Sequence, residues 1–350
     1  MADVMLQPVM EALGEEFPIE GSARDQLRAA VKYAILAPSS HNSQPWVFRI
    51  GNDHLEMFAD RSRRLPVVDP DDRELVISCG GALFMLRLAL RNFGIGEHTE
   101  LLPDPAKPDL LARVRIGGSA APSDVEHALF TAIRLRHTDR SAYETRSVPP
   151  ELLHALASAA EREGAWLVTI DDPSIRGHVA DLVGLADRVQ MADVEFRREL
   201  AKWLRPNVTR RHDGMPGYAL GRGGFASITH PLVIRRFDVG GGQAAGDEEL
   251  VRGSPTLSVL GTAGEHPRAW LSCGQALAHV LLRAQVEGVT ASFLNQPIEV
   301  TRVRRLLEMI VGHVGHVQLL LRLGYSTHSQ LRPTPRRPIA DVIDSVEGAA

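Results

Sequence analysis

ISCGGALFMLRLALRNFGI, residues 77–95, and LSCGQALAHVLLRAQVEGV, residues 271–289, are the two stretches on which the reading of this chain turns. Aligned without gaps they share 7 of 19 positions, including Ser-Cys-Gly near the start and a glycine near the end. Both carry the leucine spacing of a helix, and Gly94 stands where a C-terminal stop belongs. A second correspondence sets the helical run Glu151–Arg162 and the strand-like Trp166-Leu167-Val168 opposite the helix before Pro38 and Trp46-Val47-Phe48. The chain therefore reads as two diverged copies of one unit, roughly 20–118 and 125–345. Cys79 and Cys273 take equivalent places in the copies and read as small buried helix residues, neither disulfide partners nor nucleophiles.

Outward from these helices, Ser22 and Asp25 make an S-x-x-D capping pattern, followed by Leu27, Val31, Ala34 and Ile35 at helical steps up to Pro38. Val47–Ile50, Leu55–Phe58 and Val114–Ile116 are short β-type runs, and the proline-rich residues 103–108 read as a connector. The second copy carries an insertion. It opens with one amphipathic helix through Leu182, Leu185, Val189, Phe196, Leu200 and Trp203. Residues 205–225 follow with five glycines and two prolines, then a Gly-rich acidic stretch, Asp238–Ser254. A long irregular stretch of this kind reads as a lid or a loose loop, and the lid is the reading taken here.

Composition sets the class. The chain has 350 residues, 44% hydrophobic and 23% charged, which allows about two domains with a large core. Apolar runs such as Leu319-Leu320-Leu321 break far short of a membrane span, and Met1–Met5 precede no apolar leader. Two cysteines cannot build a secreted disulfide scaffold, and a net charge of −4 argues against general nucleic-acid binding. A cytoplasmic protein acting on small molecules is expected. Lys32, Lys107 and Lys202 are the only lysines beside 36 arginines, so any anion site is arginine-built, planar and bidentate.

Three segments carry polar groups in unusual density. Ala37-Pro38-Ser39-Ser40-His41-Asn42-Ser43-Gln44-Pro45-Trp46 runs from a helix end into a strand and offers donors and acceptors without charge. It suits a flat polar heterocycle, or equally a turn in which Asn and Ser close their own backbone. Arg136-His137-Thr138-Asp139-Arg140, if extended, puts guanidinium, hydroxyl and guanidinium on one face, as a phosphate requires; a solvated charge run has the same composition. Arg332-Pro-Thr-Pro-Arg336-Arg337-Pro338 is held extended by its prolines and by itself reads as a tail. His313 and His316 lack a third ligand cluster, so no metal is expected, and His41 reads as a surface residue. Neither Gly94-Ile-Gly96 nor Gly221-Arg-Gly-Gly224 makes a dinucleotide fingerprint.

Taken together, the A-P-S-S-x-N-x-Q-P-W loop, the R-x-[ST]-x-R segment and the C-terminal arginine–proline run resemble the nitroreductase-like flavoproteins. The tandem layout, with an insertion bearing Arg211-His212-Asp213-Gly214-Met215-Pro216, is similar to their Acg-type branch. The resemblance implies an α+β fold: two tandem nitroreductase-like units, each a mainly antiparallel sheet with surrounding helices, forming an internal pseudo-dimer. Residues 1–120 would be the first unit and 121–350 the second, with the lid-like insertion at about 182–252.

The resemblance also implies one FMN per chain. The first copy keeps the ring-side loop, with Pro38, Ser39, Ser40, Asn42 and Gln44, but has Ile19-Glu20-Gly21-Ser22 where phosphate arginines belong. The second keeps Arg136, His137, Thr138 and Arg140, with Arg336 and Arg337, but has Glu161-Arg162-Glu163-Gly164-Ala165 in place of the loop. Phe293 and Leu294, beside Ser292 and Asn295, would lie by the hydride-accepting edge of the ring, and Arg140 would face the charge that develops on reduction. Met215 and Tyr218 would cover the substrate face. The implied activity is hydride transfer from NAD(P)H through FMN to a nitro compound, quinone or other electron-poor small molecule, with no protein acid or base required. A non-catalytic protein that sequesters flavin under a closed lid is the alternative. The fused units could act as a monomeric pseudo-dimer or as a homodimer.

Overall fold

In the computed structural model, residues 16–220, 240–328 and 332–344 are described. Helix α1 (Ala23–Ala34) starts at Ser22, whose side chain accepts the Asp25 amide as the capping pattern requires. The chain then passes a short 3-10 turn (Ser40–Asn42) into the hairpin β1 (Trp46–Ile50) and β2 (His54–Ala59). Helix α2 (Arg73–Asn92) ends at Gly94, which takes φ +78° as a helix stop demands. Strands β3 (Ile95–Leu101) and β4 (Leu110–Ser119) flank the proline-rich connector, and α3 (Asp124–Leu135) follows with a Ser123–Glu126 capping box.

The second half brings α4 (Pro150–Arg162), β5 (Trp166–Thr169), α5 (Pro173–Ala192), α6 (Val194–Trp203), β6 (Leu204–Arg205), β7 (Met215–Pro216) and α7 (Gly240–Arg252). After these come β8 (Thr256–Thr262), α8 (Pro267–Val286), β9 (Thr290–Phe293), the short α9 (Gln296–Glu299), α10 (Thr301–Val311), β10 (His316–Gly324) and β11 (Ile343–Asp344).

The fold is mixed α+β, with helices around two antiparallel-dominated sheets. The first has the order β11-β1-β2-β4-β3 and the second β5-β8-β10-β9. Leaving β11 aside, the order and the antiparallel sense are the same in both, and α2 and α8 each follow the second strand of their set. Strand β11 is the exception in direction. It runs parallel to β1, Phe48 opposite Ile343, and brings the last described residues back onto the first sheet.

Helices α2 and α8 pack on each other through glycine. A Cβ on Gly80 would stand 2.3 Å from the Leu271 carbonyl oxygen, and one on Gly274 would stand 1.9 Å from that of Ile77. In the alignment of the two stretches Gly80 matches Gly274 and Ile77 matches Leu271, so the contact is reciprocal, as in an isologous interface. Leu271, Ala278 and Leu282 of α8 join the core of the first sheet, while Ile77 of α2 joins that of the second. Cys79 and Cys273 are buried and free beside this seam, and burial pushes the Cys273 thiol up to about 12.

The insertion departs from its sequence reading. The single amphipathic helix is two helices, because Asp193 ends α5 in extended backbone and caps α6 through the Glu195 amide. Leu185 and Val189 consequently face outward, whereas Phe196 and Trp203 join Leu65, Val68, Met191 and Leu204 in a small core against the first half. Much of the acidic stretch after Asp238 is helical as α7. Gly221–Gly224, the remainder of 205–225 beyond Leu220, and Met1–Met5 lie outside the described residues. Among the described residues no helix is long and apolar enough to cross a membrane.

Candidate functional site

The loop after α1 is built from backbone that ordinary residues avoid. His41, Asn42 and Gln44 all take φ +53°, a left-handed conformation costing roughly 1–3 kcal/mol at each non-glycine position. Such strain persists only where the surroundings hold it. Ser39 Oγ accepts the Gln44 amide at 2.9 Å, and Asn42 Nδ2 donates to the carbonyls of Gly214 (2.9 Å) and Pro335 (3.1 Å). Gln44 Nε2 donates to the His212 carbonyl at 2.7 Å, while its Oε1 accepts the Arg337 amide at 2.8 Å. The loop is thus clamped by the insertion on one side and by the C-terminal segment on the other.

Its open side forms one wall of a cavity of about 540 Å³, lined by Pro38, Ser39, Ser40, His41 and Asn42. The opposite wall comes from the second half. Arg136, His137, Thr138 and Arg140 leave the end of α3 and meet Phe293 and Asn295 at the end of β9. A parallel bridge from Thr138 to Ala291 fixes that approach. Met215 and Tyr218 of the insertion, with Phe196 and Leu200 of α6, complete the enclosure together with Arg336.

Electrostatically the cavity has two ends. At one, Arg136 and Arg336 are buried and both reach only neutral oxygens: Arg136 Nη2 lies 3.5 Å from the Leu36 carbonyl, and Arg336 Nη2 lies 3.2 Å from the same atom. Arg336 Nη1 also reaches Asn42 Oδ1 and Thr334 Oγ1. Arg140 Nη1 donates to the Ala219 carbonyl at 3.2 Å. Among the described residues no carboxylate pairs with any of the three, and the Nε atoms of Arg136 and Arg336 have no partner. Burial pushes Arg136 down to about 10. Burial and then repulsion from Arg136 push Arg336 down to about 9. Burial with these neighbouring cations holds His137 near 4, and burial with Arg140 does the same for His41, so both rings are neutral at pH 7. Buried guanidiniums lacking an acid are costly, and a polyoxygen anion is their natural complement.

The other end is acidic. Glu74 and Glu299 line it with Gln190 and Ser78, and Ser40 Oγ donates to Glu74 Oε2. Nearby, Asp187 of α5 faces Asp247 of α7. Burial and the Asp247 charge push Asp187 up to about 8, and Gln296 Nε2 donates to Asp247 at 3.0 Å.

The structure therefore gathers at one cavity Pro38, Ser39, Ser40, Asn42, Arg136, His137, Thr138, Arg140, Phe293, Arg336, Met215 and Tyr218. Three further residues named from sequence stand behind the wall. Gln44 braces the loop. Leu294 is buried in the core under the second sheet, its amide on the Leu320 carbonyl. Arg337 turns away onto the Gln44 and Trp46 carbonyls and Asp60. His41 lies on the cavity wall, not on the surface, and His313 stacks on Trp166 at 4.1 Å. Glu74, Gln190 and Glu299 went unread. In sequence they are ordinary polar residues of helices, and only the cavity gives them a common face.

No family model matches the chain. It is 30% identical over 336 residues to "Putative NAD(P)H nitroreductase Rv3131" of Mycobacterium tuberculosis, covering 95% of this chain and 94% of that one. It is 28% identical over 325 residues to "Putative NAD(P)H nitroreductase acg" of the same organism, covering 91% and 95%. Among solved structures it is similar to the FMN and NADPH-dependent nitroreductase NfnB of sphigopyxis sp. strain HMH, with 20% identity, a TM-score of 0.41, and 62% of this chain and 98% of that one covered. With three residues in ten shared along nearly the whole of both chains, this protein belongs to the nitroreductase family.

Proposed function

We propose that the protein is an FMN-dependent NAD(P)H oxidoreductase of the cytoplasm that reduces a nitro compound, a quinone or another electron-poor small molecule. The observation that carries this reading is the pairing, across one cavity, of two buried arginines, Arg136 and Arg336, and the half-buried Arg140, none in an ion pair with a carboxylate among the described residues, with a strained, uncharged polar loop. The donor set fits FMN at both ends. Arg136 and Arg336, with Thr138 beside them, would hold the phosphate; Ser39, Ser40 and Asn42 would edge the ring. When bound, the flavin supplies the two-electron chemistry and the protein supplies placement and charge. Arg140, spending one hydrogen bond on a carbonyl, keeps positive charge for the side where negative charge develops. Phe293 would lie at the far edge, and Met215 and Tyr218 would exclude water from the substrate face.

We further read the chain as two nitroreductase-like units, 1–120 and 121–350, folded as an internal pseudo-dimer with a lid at about 182–252. The repeated strand order and the reciprocal Gly80–Gly274 contact support this. One FMN per chain follows. In the second half, Glu161–Ala165 simply closes α4, with Gly164 at φ +80° and Glu163 tied to Arg87 and His279. In the first, Gly21 and Ser22 start α1. A monomer then contains a complete site, and a homodimer is not needed to form it.

A second reading, flavin storage without turnover, draws on the insertion. The Gly214 and His212 carbonyls accept from Asn42 and Gln44, and Asp213, held by Arg205 (3.0 Å) and Arg211 (3.2 Å) of the insertion, pairs with Arg63 (2.6 Å), pinning the lid to the first half. The purified protein should absorb as a flavoprotein and bleach when NADPH is added without oxygen. Bleaching by dithionite but by neither NADH nor NADPH would refute the oxidoreductase and leave storage. A colourless protein that takes up no FMN would refute both.

A further inference from the structure

The acidic end of the cavity has more carboxyls than cations to balance them. Asp69, just ahead of α2, accepts the Glu74 and Leu75 amides at 3.1 and 2.9 Å, a helix N-terminus serving as its positive partner. Glu74 has Arg73 Nη2 at 2.8 Å and the Ser40 hydroxyl. The other arm of Arg73 is spent on Gln318. Glu299, the last residue of α9, has only the neutral amide of Gln190, Nε2 to Oε2 at 2.6 Å, and it borders the cavity beside Phe293 and Asn295. The charged groups that act on it most strongly are Asp69, Arg73 and Glu74, all from α2 or the turn before it; α5 gives it Gln190, while Asp187 of α5 and Asp247 of α7 meet Gln296 at the other end of α9. One guanidinium and one helix end neutralise two of the three acids, and the third keeps its proton.

We infer that Glu299 is the proton donor to the electron acceptor reduced in this cavity, a quinone being the simplest member of the class. This rests on the reading above that the site passes a hydride. Burial pushes Asp69 up to about 6, so it is ionised at pH 7, whereas burial and the Glu74 charge hold Glu299 well above the ordinary carboxylate range. Conversion of a quinone to a hydroquinone consumes one hydride and one proton. The dihydronicotinamide would be the source of the hydride, and a flavin held in this cavity would supply the redox chemistry that passes it on. The proton leaves Glu299: its O–H bond breaks, an O–H bond forms on the acceptor oxygen, and the carboxylate regains a proton from water. Gln190 holds the carboxyl through Oε2, and Glu299 lines the cavity in which the acceptor would sit.

The test separates the two half-reactions of the FMN-loaded protein by stopped flow, with NADPH as reductant and 1,4-benzoquinone as acceptor. Glu299→Gln should slow the quinone step about 100-fold or more, with the loss confined to that step, since a positioned acid contributes roughly 10²–10⁴-fold. In the parent that step should be fast while Glu299 is protonated and fall as pH climbs through its raised pKa. Glu299→Asp should restore part of the rate. Glu74→Gln, which removes the neighbouring negative charge, should move the fall to lower pH, as a merely structural Glu299 would not. Independently of turnover, protein labelled with ¹³C at glutamate carboxyls should show one resonance titrating above the rest, missing in Glu299→Gln. A parent-like quinone rate and pH profile in Glu299→Gln, or a Glu299 resonance titrating with the other glutamates, would overturn the inference. If NADPH fails to bleach the parent, the hydride reading falls and this assignment falls with it.

Discussion

Replacing Arg136 with methionine should move the stability of the FMN-free and FMN-loaded protein in opposite directions. Arg136 is 7% exposed, and among the described residues its Nε has no partner and its guanidinium makes one hydrogen bond, a long one of 3.5 Å to the Leu36 carbonyl. Burial pulls its pKa from the ordinary arginine range down to about 10. At about 1.4 kcal/mol per unit, the charged side chain costs the folded, FMN-free protein on the order of 3 kcal/mol. For a base held down by folding, that cost is present in full below about pH 10 and disappears only as pH rises on toward the ordinary arginine range. Methionine keeps much of the length and apolar bulk, and forfeits one weak hydrogen bond worth about 1 kcal/mol. A net gain of about 2 kcal/mol should raise the melting temperature of the FMN-free protein by several degrees. With FMN present, a charge-assisted phosphate contact of about 1.5–3 kcal/mol is lost, and the flavin should bind roughly 10- to 150-fold more weakly. Differential scanning fluorimetry at pH 7.5 across an FMN titration reads both effects: the baseline rises and the ligand-induced shift shrinks. A variant that melts below the parent without FMN and binds FMN undiminished would show Arg136 to be a framework residue, and would refute the argument.

Other substitutions reach other parts of the molecule. Gly274→Ala drives a methyl into the Ile77 carbonyl and should destabilise the chain by about 1–3 kcal/mol or more, read as a fall in denaturation midpoint; an unchanged midpoint would mean the α2–α8 seam is looser than described. Asp213→Asn leaves Arg63 and Arg205 without their acid and should speed flavin release, followed by the rise in FMN fluorescence. Because its arginine partners hold Asp213 near 2, against 3.8 ordinarily, that carboxylate stabilises the fold by about 2 kcal/mol above pH 4, and the contribution should fade as pH falls toward 2. Asp187 has the opposite sign: raised to about 8 beside Asp247, it makes the parent lose stability as pH climbs from about 4 to 8, and Asp187→Asn should flatten that slope in urea titrations.

The elements that local chemistry fixes were open to reading from the residues. Ser22, Gly94 and the leucine spacing of 77–95 specify helix ends and a buried face without help from distant partners, and the structure has them there. Strand β3 escaped notice because Ile-Gly-Glu-His-Thr-Glu-Leu is polar and Gly-bearing, and its strand state comes from pairing with β4. The insertion was misread as one helix because Phe196 and Trp203 continue the spacing of Leu182. Asp193 breaks it by offering the backbone a local cap, and the apolar face re-forms against Leu65 and Val68, about 130 residues away in sequence. The arginine end of the cavity was legible only through the family resemblance, because taken alone the arginine–proline run reads as a tail and Arg136–Arg140 as a solvated charge run. The acidic end was not, because Glu74 lies in the first turn of α2 and Glu299 in a one-turn helix, and their neighbourhood arises only in three dimensions.

The parallel pairing of Ile343 with Phe48 has a mechanical consequence. Between residues 332 and 344 the run that carries Arg336 rests twice on the first half, through Arg336 on Asn42 and through Ile343 beside β1. Freeing β11 from β1 is therefore expected to slacken the run that presents Arg336 to the cavity.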